Sequence, residues 1–320
     1  MSDMATPRAQ LVDPEQALCY HLVSRCVRRA WLCGLDESTH IDYSHRKTWL
    51  EQRLSHLGRC FAIDIYAHAI MSNHFHLVLY FDPTACHQWS DDEVAERWME
   101  AFPPKINNTE HPDARELYKQ ALINDPKRLA RCRASLGSLS SFMQHLKQPI
   151  ARRANREDGV SGHFFEQRFY SGALLSENAM LAAMAYVDLN PVRARIAQHI
   201  EECHHTSIVE RLNVVENDAA RLKQALMPTI AGLRRRGVDD KQTTRVTHGL
   251  LGWTLRQYID HLCCAVESTT TTTRNPSHSQ WRWIQQVASL GKRQRAYGSP
   301  EQLSSWAAQR NMRRLEVPIP

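Results

Sequence analysis

The polarity pattern of this chain switches repeatedly between the two-residue period of a strand and the 3.6-residue period of a helix. Tyr20-His-Leu-Val-Ser-Arg-Cys26 alternates, with Leu22 turned away from His21 and Val23, and predicts a first strand. Ser44–Leu57 predicts a helix: Leu50, Leu54 and Leu57 share one face, Ser44 can cap the start and Gly58 can stop the end. Phe61–Met71 is rich in aromatic and branched residues and predicts a second strand. Ser72 and Asn73 make a short turn, and a third strand returns through Leu77, Val78, Leu79 and Tyr80. Strand, helix, strand, turn, strand is the pattern of an α+β protein with an antiparallel sheet.

From Pro83 to Gly137 the pattern turns helical and reads as an insertion. Ser90-x-x-Glu93 is a capping box for a helix that ends by Pro103-Pro104, and shorter helices are predicted at Asp113–Asn124 and Pro126–Ala134. Over Ser138–Asn155, Phe142, Leu146, Ile150 and Ala154 fall four apart on one helix face, and Pro149 predicts a kink. The other face is basic, with Lys147, Arg152, Arg153 and Arg156. Ser176–Tyr186 is a further capped helix, and Pro191 can open another. The C-terminal third is polar and helical in outline. It carries basic runs at Arg234–Arg236 and Arg310–Arg314, a threonine tract at Thr269–Thr273 that reads as a linker, and Trp281 and Trp283, which read as core. The expected organisation is a disordered tail over 1–17, a domain over 18–206 interrupted by the insertion at about 83–137, and a mostly helical region over 207–320 with a linker near 268–279.

Candidate chemistry concentrates in Met71-Ser-Asn-His-Phe-His-Leu-Val-Leu79. On a strand, His74 and His76 project from one face while Phe75, Leu77 and Leu79 face the core. Two adjacent imidazoles can supply two ligands of a metal site, with a third needed from elsewhere. Arg25 and Arg28 follow the first strand, where a guanidinium suits phosphate. The loop Gly159–Phe169 interleaves His163 and Arg168 with aromatics, a mixture that suits stacking on bases and pairing with phosphates.

Composition adds limits. The 320 residues suffice for one large domain or two ordinary ones, and a net charge of +6 suits a polyanionic partner. No apolar run approaches the roughly 20 residues of a membrane span. The polar Met1–Pro14 does not read as a secretory signal. Nine cysteines at irregular spacings, with no Cys-x-x-Cys pair, point to reduced thiols and a cytoplasmic setting.

Three stretches together carry a family resemblance. Met71–Leu79 resembles the His-hydrophobic-His block of single-tyrosine HUH (IS200-like) transposases. Asn155-Arg-x-x-Gly159-x-x-Gly-His-Phe-Phe-x-x-Arg-Phe169 and Tyr186-Val-Asp-Leu-Asn-Pro-Val-Arg-Ala194 resemble signatures of the REP-associated branch, and Tyr20–Arg25 resembles its opening strand. The resemblance spans roughly Leu18 to Thr206. It implies a ferredoxin-like antiparallel sheet with helices on one side, and strand cleavage and joining on single-stranded or hairpin DNA during transposition. It implies a divalent ion, Mg²⁺ or Mn²⁺, on His74, His76 and a polar ligand for which Asn155 is the candidate, to polarise the scissile phosphate. DNA contacts are expected from Arg25, Arg28, Arg152, Arg153, Arg156, His163 and Arg168, in a monomer or homodimer. It also implies a helix-borne tyrosine that forms a covalent phosphotyrosine. The nucleophile is expected five residues before Asn155, where this chain has Ile150. Tyr170 and Tyr186 are the fallback tyrosines. A second reading is a non-catalytic nucleic-acid-binding protein, and a third is a metal-dependent hydrolase resting on the histidine pair alone.

Overall fold

The computed structural model describes residues 11–13, 15–27, 33–36, 39–104, 113–166, 168–233, 250–270, 287–291, 294–310 and 312. Arg28, most of the N-terminal tail, Arg234–Arg236, Trp281, Trp283 and Thr271–Thr273 lie outside them.

Strand β1 (Leu18–Arg25) leads to helix α1 (His45–Gly58), then to β2 (Ile63–Ile70) and β3 (His74–Phe81), which form a hairpin. The stretch expected as an insertion holds α2 (Asp91–Ala101), α3 (Ala114–Ile123) and α4 (Pro126–Leu136). Helix α5 (Leu139–Glu157) runs through Pro149 and is followed by β4 (Tyr170–Leu174). Helices α6 (Glu177–Asp188) and α7 (Ser207–Asn217) come next, then β5 (Ile230–Ala231), α8 (Leu255–Thr270), β6 (Ala296–Tyr297) and α9 (Pro300–Gln309).

The sheet has six strands in the order β6-β4-β1-β3-β2-β5. The pairs β1–β3, β1–β4, β2–β3 and β2–β5 are antiparallel, whereas β6 joins β4 in parallel. The expected antiparallel sheet is therefore corrected to a mixed one. The expected "mostly helical" C-terminal third also supplies both outermost strands, and each pairs over two residues. Strands this short give no readable two-residue period in the sequence.

Helix starts follow local chemistry. The side chains of Ser90, Asp125, Ser138 and Ser176 each accept the backbone N–H three residues on, which satisfies an orphan donor of the first turn. Ser44 makes no such bond. Its own N–H donates to Asp42 Oδ1 at 2.8 Å.

Each sheet face has its own core. Leu22, Phe75, Leu77 and Leu79 pack under α1 and α5, together with Leu50, Leu54, Phe142, Leu146 and Ile150. Ala67, Ala69 and Val78 on the other face pack under α6, α7 and α8. Arg46, fully buried, ties the first core together: it stacks on Tyr43 at 4.0 Å and pairs with Glu157 at 2.9 Å and with Asp158. That clamp holds the end of α5 against the start of α1 and so fixes where the Gly159–Phe169 loop departs.

Candidate active site

The register of the central strands assembles one polar face. Val23 pairs with His76, Arg25 with His74, and His21 with Val78, while Ala69 flanks His76 from β2 and Tyr170 flanks Val23 from β4. Paired residues point to the same side of a sheet. His74, His76, His21 and Arg25 therefore share a face, as the spacing of the first two predicts. Phe75 and Leu77 point into the α1–α5 core on the other face.

His76 is 4% exposed and His74 is half-buried, with ring centroids 4.8 Å apart. His76 Nδ1 lies 2.9 Å from His21 Nε2, and the two rings stack at 5.2 Å. Asn190 Nδ2 sits 3.5 Å from His76 Nε2. His74 Nδ1 donates to Asn73 Oδ1 at 2.6 Å. With the amides assigned so, the protons fall in one pattern: Asn190 points N–H at His76 Nε2, and His76 donates from Nδ1 to His21. Both His74 and His76 then present Nε2 as the lone-pair nitrogen, and neighbouring groups fix their tautomers in the manner of metal-ligating histidines.

Tyr186, on the last turn of α6, closes this face. Its ring lies edge-on to His76 at 5.7 Å and to His21 at 5.8 Å, and the Arg193 guanidinium stands over it at 5.1 Å. Tyr170 also meets His21 edge-on, at 6.0 Å, but its hydroxyl is turned to Gln294 O and to Tyr297 Oη, the latter at 2.8 Å. Ile150 is 5% exposed and belongs to the core of the opposite face, with Phe75. Asn155 stands on α5, the helix of that same opposite face, and donates to Gly162 O at 2.8 Å.

Of the residues expected to contact nucleic acid, Arg152 and His163 line one cleft. Lys147, Arg152, Asn155, His163, Phe164, Phe165 and Phe169 line a cleft of about 650 Å³ between α5 and the Gly-punctuated loop. Gly159 and Gly162 have φ of +64° and +111°, backbone that a side chain rarely tolerates, and so let the loop fold back on α5. The loop also runs along the end of β1: Glu166 N–H donates to Arg25 O at 2.8 Å and Val27 N–H to Phe164 O at 3.0 Å. The cleft thus adjoins the end of the sheet where Arg25 faces His74. Arg153 stacks on Trp49 at 3.7 Å, and Arg153, Arg156 and Arg168 are exposed.

A different cluster can hold a metal ion. Glu51 of α1, His68 of β2 and Glu210 of α7 bring one ligand atom each within 4.8 Å of one another, the one such group of three acidic, histidine or cysteine side chains among the described residues. His205 Nδ1 lies 3.0 Å from Glu51 Oε2, and this hydrogen bond and the nearby His68 imidazole hold the Glu51 carboxyl down to about 2. Burial pushes Glu210 the other way. The sequence reading missed this cluster, whose members lie up to 159 residues apart in the chain (51 to 210) with no motif spacing. It also missed His21, although His21, Val23 and Arg25 keep the same two-residue period as His74 and His76.

No family model matches the chain, and no curated protein matches it. A solved chain described as "Structure of the REP associates tyrosine transposase bound to a REP hairpin" is similar at a TM-score of 0.34 and 10% identity, over 61% of this chain and 79% of that one, a distant likeness. Among the described residues no helix is long and apolar enough to cross a membrane.

Proposed function

We propose that this protein cleaves and rejoins single-stranded DNA in the manner of a single-tyrosine transposase, with Tyr186 as its nucleophile. The observation that carries this reading is the contact of the Tyr186 ring with His76 and His21, on the face that also presents His74 and Arg25. The expected nucleophile position, Ile150, has no nucleophilic atom and packs on the other side of the sheet. The strand order β4-β1-β3-β2 supports a ferredoxin-like sheet, with helices on both faces rather than on the one side expected: α1 and α5 on one, α6, α7 and α8 on the other.

His74 and His76 would hold a divalent ion through their Nε2 atoms, that of His76 in place of the Asn190 N–H, and an imidazole pair favours Mn²⁺ over Mg²⁺. When bound, that ion supplies Lewis-acid polarisation of a scissile phosphate. The chain's own groups do the rest. His21 and Asn73 orient the two imidazoles and Arg25 attracts the phosphate to their side. The Tyr186 phenol oxygen attacks phosphorus as the P–O bond to the departing strand breaks, giving a phosphotyrosine and a strand end whose freed hydroxyl takes up the phenol proton. Lys147, Arg152 and His163 draw the strand into the cleft, where Phe165 and Phe169 offer rings to bases. The two histidines and the tyrosine belong to one chain, so a monomer brings these three side chains together. Residues 18–206 form the DNA-processing unit, and the C-terminal region braces its outer strands.

A labelled hairpin oligonucleotide, incubated with the protein and Mn²⁺ and run on a denaturing gel, tests this reading. A covalent adduct is expected from the native chain and from Tyr170→Phe, and none from Tyr186→Phe. An adduct that survives Tyr186→Phe overturns the assignment. Binding without any adduct from the native chain leaves the non-catalytic reading, which the basic cleft supports by itself. In either case Arg152→Ala should weaken binding and reduce the slope of log affinity against log salt by about 1.

A further inference from the structure

We propose that Glu51, His68 and Glu210 form a second cation site, for a divalent transition-metal ion, that pins α7 to α1 across the edge of the sheet. His68 is 1% exposed, and neither of its ring nitrogens has a hydrogen-bond partner. A buried imidazole in that state loses its hydration without compensation unless something takes up its lone pair or proton. Its Nε2 stands 3.8 Å from Glu51 Oε1 and 3.9 Å from Glu210 Oε1. These gaps are too long for hydrogen bonds. They lie inside the roughly 4.2 Å that two metal–ligand bonds of about 2.1 Å can span. Three elements distant in sequence aim one ligand each at the same point.

The donor set names the class of ion. One imidazole with two carboxylates suits Zn²⁺, Mn²⁺ or Fe²⁺, whereas an all-oxygen set would suit Mg²⁺ or Ca²⁺. His205 holds the second oxygen of Glu51 at 3.0 Å and so leaves the first turned toward His68. The backbone has already brought the start of α7 to this edge: Ile70 N–H donates to His205 O at 3.0 Å and His68 N–H to Ser207 Oγ at 3.0 Å. An ion here would lock the turn of α7 that carries Glu210. The same helix start holds the end of α6, because Asp188 accepts from Ser207 Oγ at 2.5 Å and from Ile208 N–H at 3.0 Å. The site is thereby mechanically continuous with the helix that bears Tyr186, although it lies on the opposite face of β2.

The proposal stands apart from the histidine pair, and its test uses the full chain carrying His74→Ala and His76→Ala. Chelator-treated protein is titrated with Zn²⁺ and with Mn²⁺ by calorimetry, bound metal is counted by elemental analysis, and the melting temperature is followed. One equivalent of metal and a raised melting temperature are expected. Glu210→Gln should weaken binding at least about 100-fold, and Glu51→Gln with Glu210→Gln should abolish it, while circular dichroism reports that these variants fold. No bound equivalent in the histidine-pair variant, or full binding in the double Gln variant, overturns the site. DNA-adduct formation by the native chain does not bear on either result.

Discussion

His68 and His76 stand on neighbouring strands of one hairpin, yet they face opposite sides of the sheet, since His68 pairs with Leu77 and His76 with Ala69. Their surroundings differ as sharply. Around His76 lie two imidazoles, the Tyr186 ring and an amide, with Arg25 across from His74. Around His68 lie two carboxylates. A side with imidazoles and a guanidinium suits a phosphodiester. Two carboxylates at under 4 Å from a shared point would repel a polyanion and attract a cation. The same side chain, one pleat apart, is thus fitted to two partners of opposite charge. Histidine takes its role from what faces it.

The sharpest way to break this comparison is to remove a single oxygen. Tyr186→Phe keeps the ring against His76 and should lower DNA-adduct formation at least about 10³-fold, the scale of losing a covalent nucleophile. His68→Gln should leave the adduct rate within about threefold, because it touches only the carboxylate side. If His68→Gln instead abolished the adduct and Tyr186→Phe did not, the two faces would have to exchange roles.

A second substitution sharpens the division between faces. Ile150 is buried with Phe142, Leu146 and Ala154 on the α5 side. Ile150→Ala should cost about 2–4 kcal/mol of stability by opening a cavity. Adduct formation should persist at temperatures where the variant stays folded. Urea unfolding measures the first effect and the gel the second. An adduct lost while the fold is intact would make Ile150 part of the reacting side.

These outcomes bear on what could be read from the chain. The hairpin, α1, α5 and α6 were legible, because each carries its own period and most carry a capping residue, as at Ser138 and Ser176. The shared face of His74 and His76 was legible for the same reason. Which tyrosine joins them was not, since that depends on α6 crossing the sheet face opposite α5, and no local pattern encodes a face choice between two amphipathic helices. Asn155 and Ile150 sit near the motif in sequence but on the far helix in space. The edge strands β5 and β6 and the Glu51–His68–Glu210 cluster arise from contacts between distant segments, where neither period nor spacing leaves a trace.

The smallest effect concerns two acids that separate cation-facing from amide-facing burial. Glu51 meets His205 and His68, and its carboxyl is held down to about 2 from its ordinary 4.5, first by the His205 hydrogen bond. Asp64, fully buried on the same β2, meets the Leu233 backbone N–H at 3.1 Å instead, and burial pushes it up to about 6 from 3.8. The signs are opposite. A lowered acid contributes stability that is present above its unfolded value, so the Glu51 contribution is lost as pH falls from about 4.5 toward 2. A raised acid favours the fold while protonated, so the Asp64 contribution is full below about 3.8 and lost as pH rises through 6. Each shift is worth up to about 3 kcal/mol at 1.36 kcal/mol per pH unit, and partial exposure of Glu51 lowers its share to about 1–2. Urea midpoints measured in chelator across pH 2–7 should therefore show a loss at each end. Glu51→Gln should flatten the acid limb alone, and Asp64→Asn the limb between about pH 4 and 6. A single substitution that flattened both limbs would mean that the two carboxyls titrate as one group, and the distinction between their surroundings would fail.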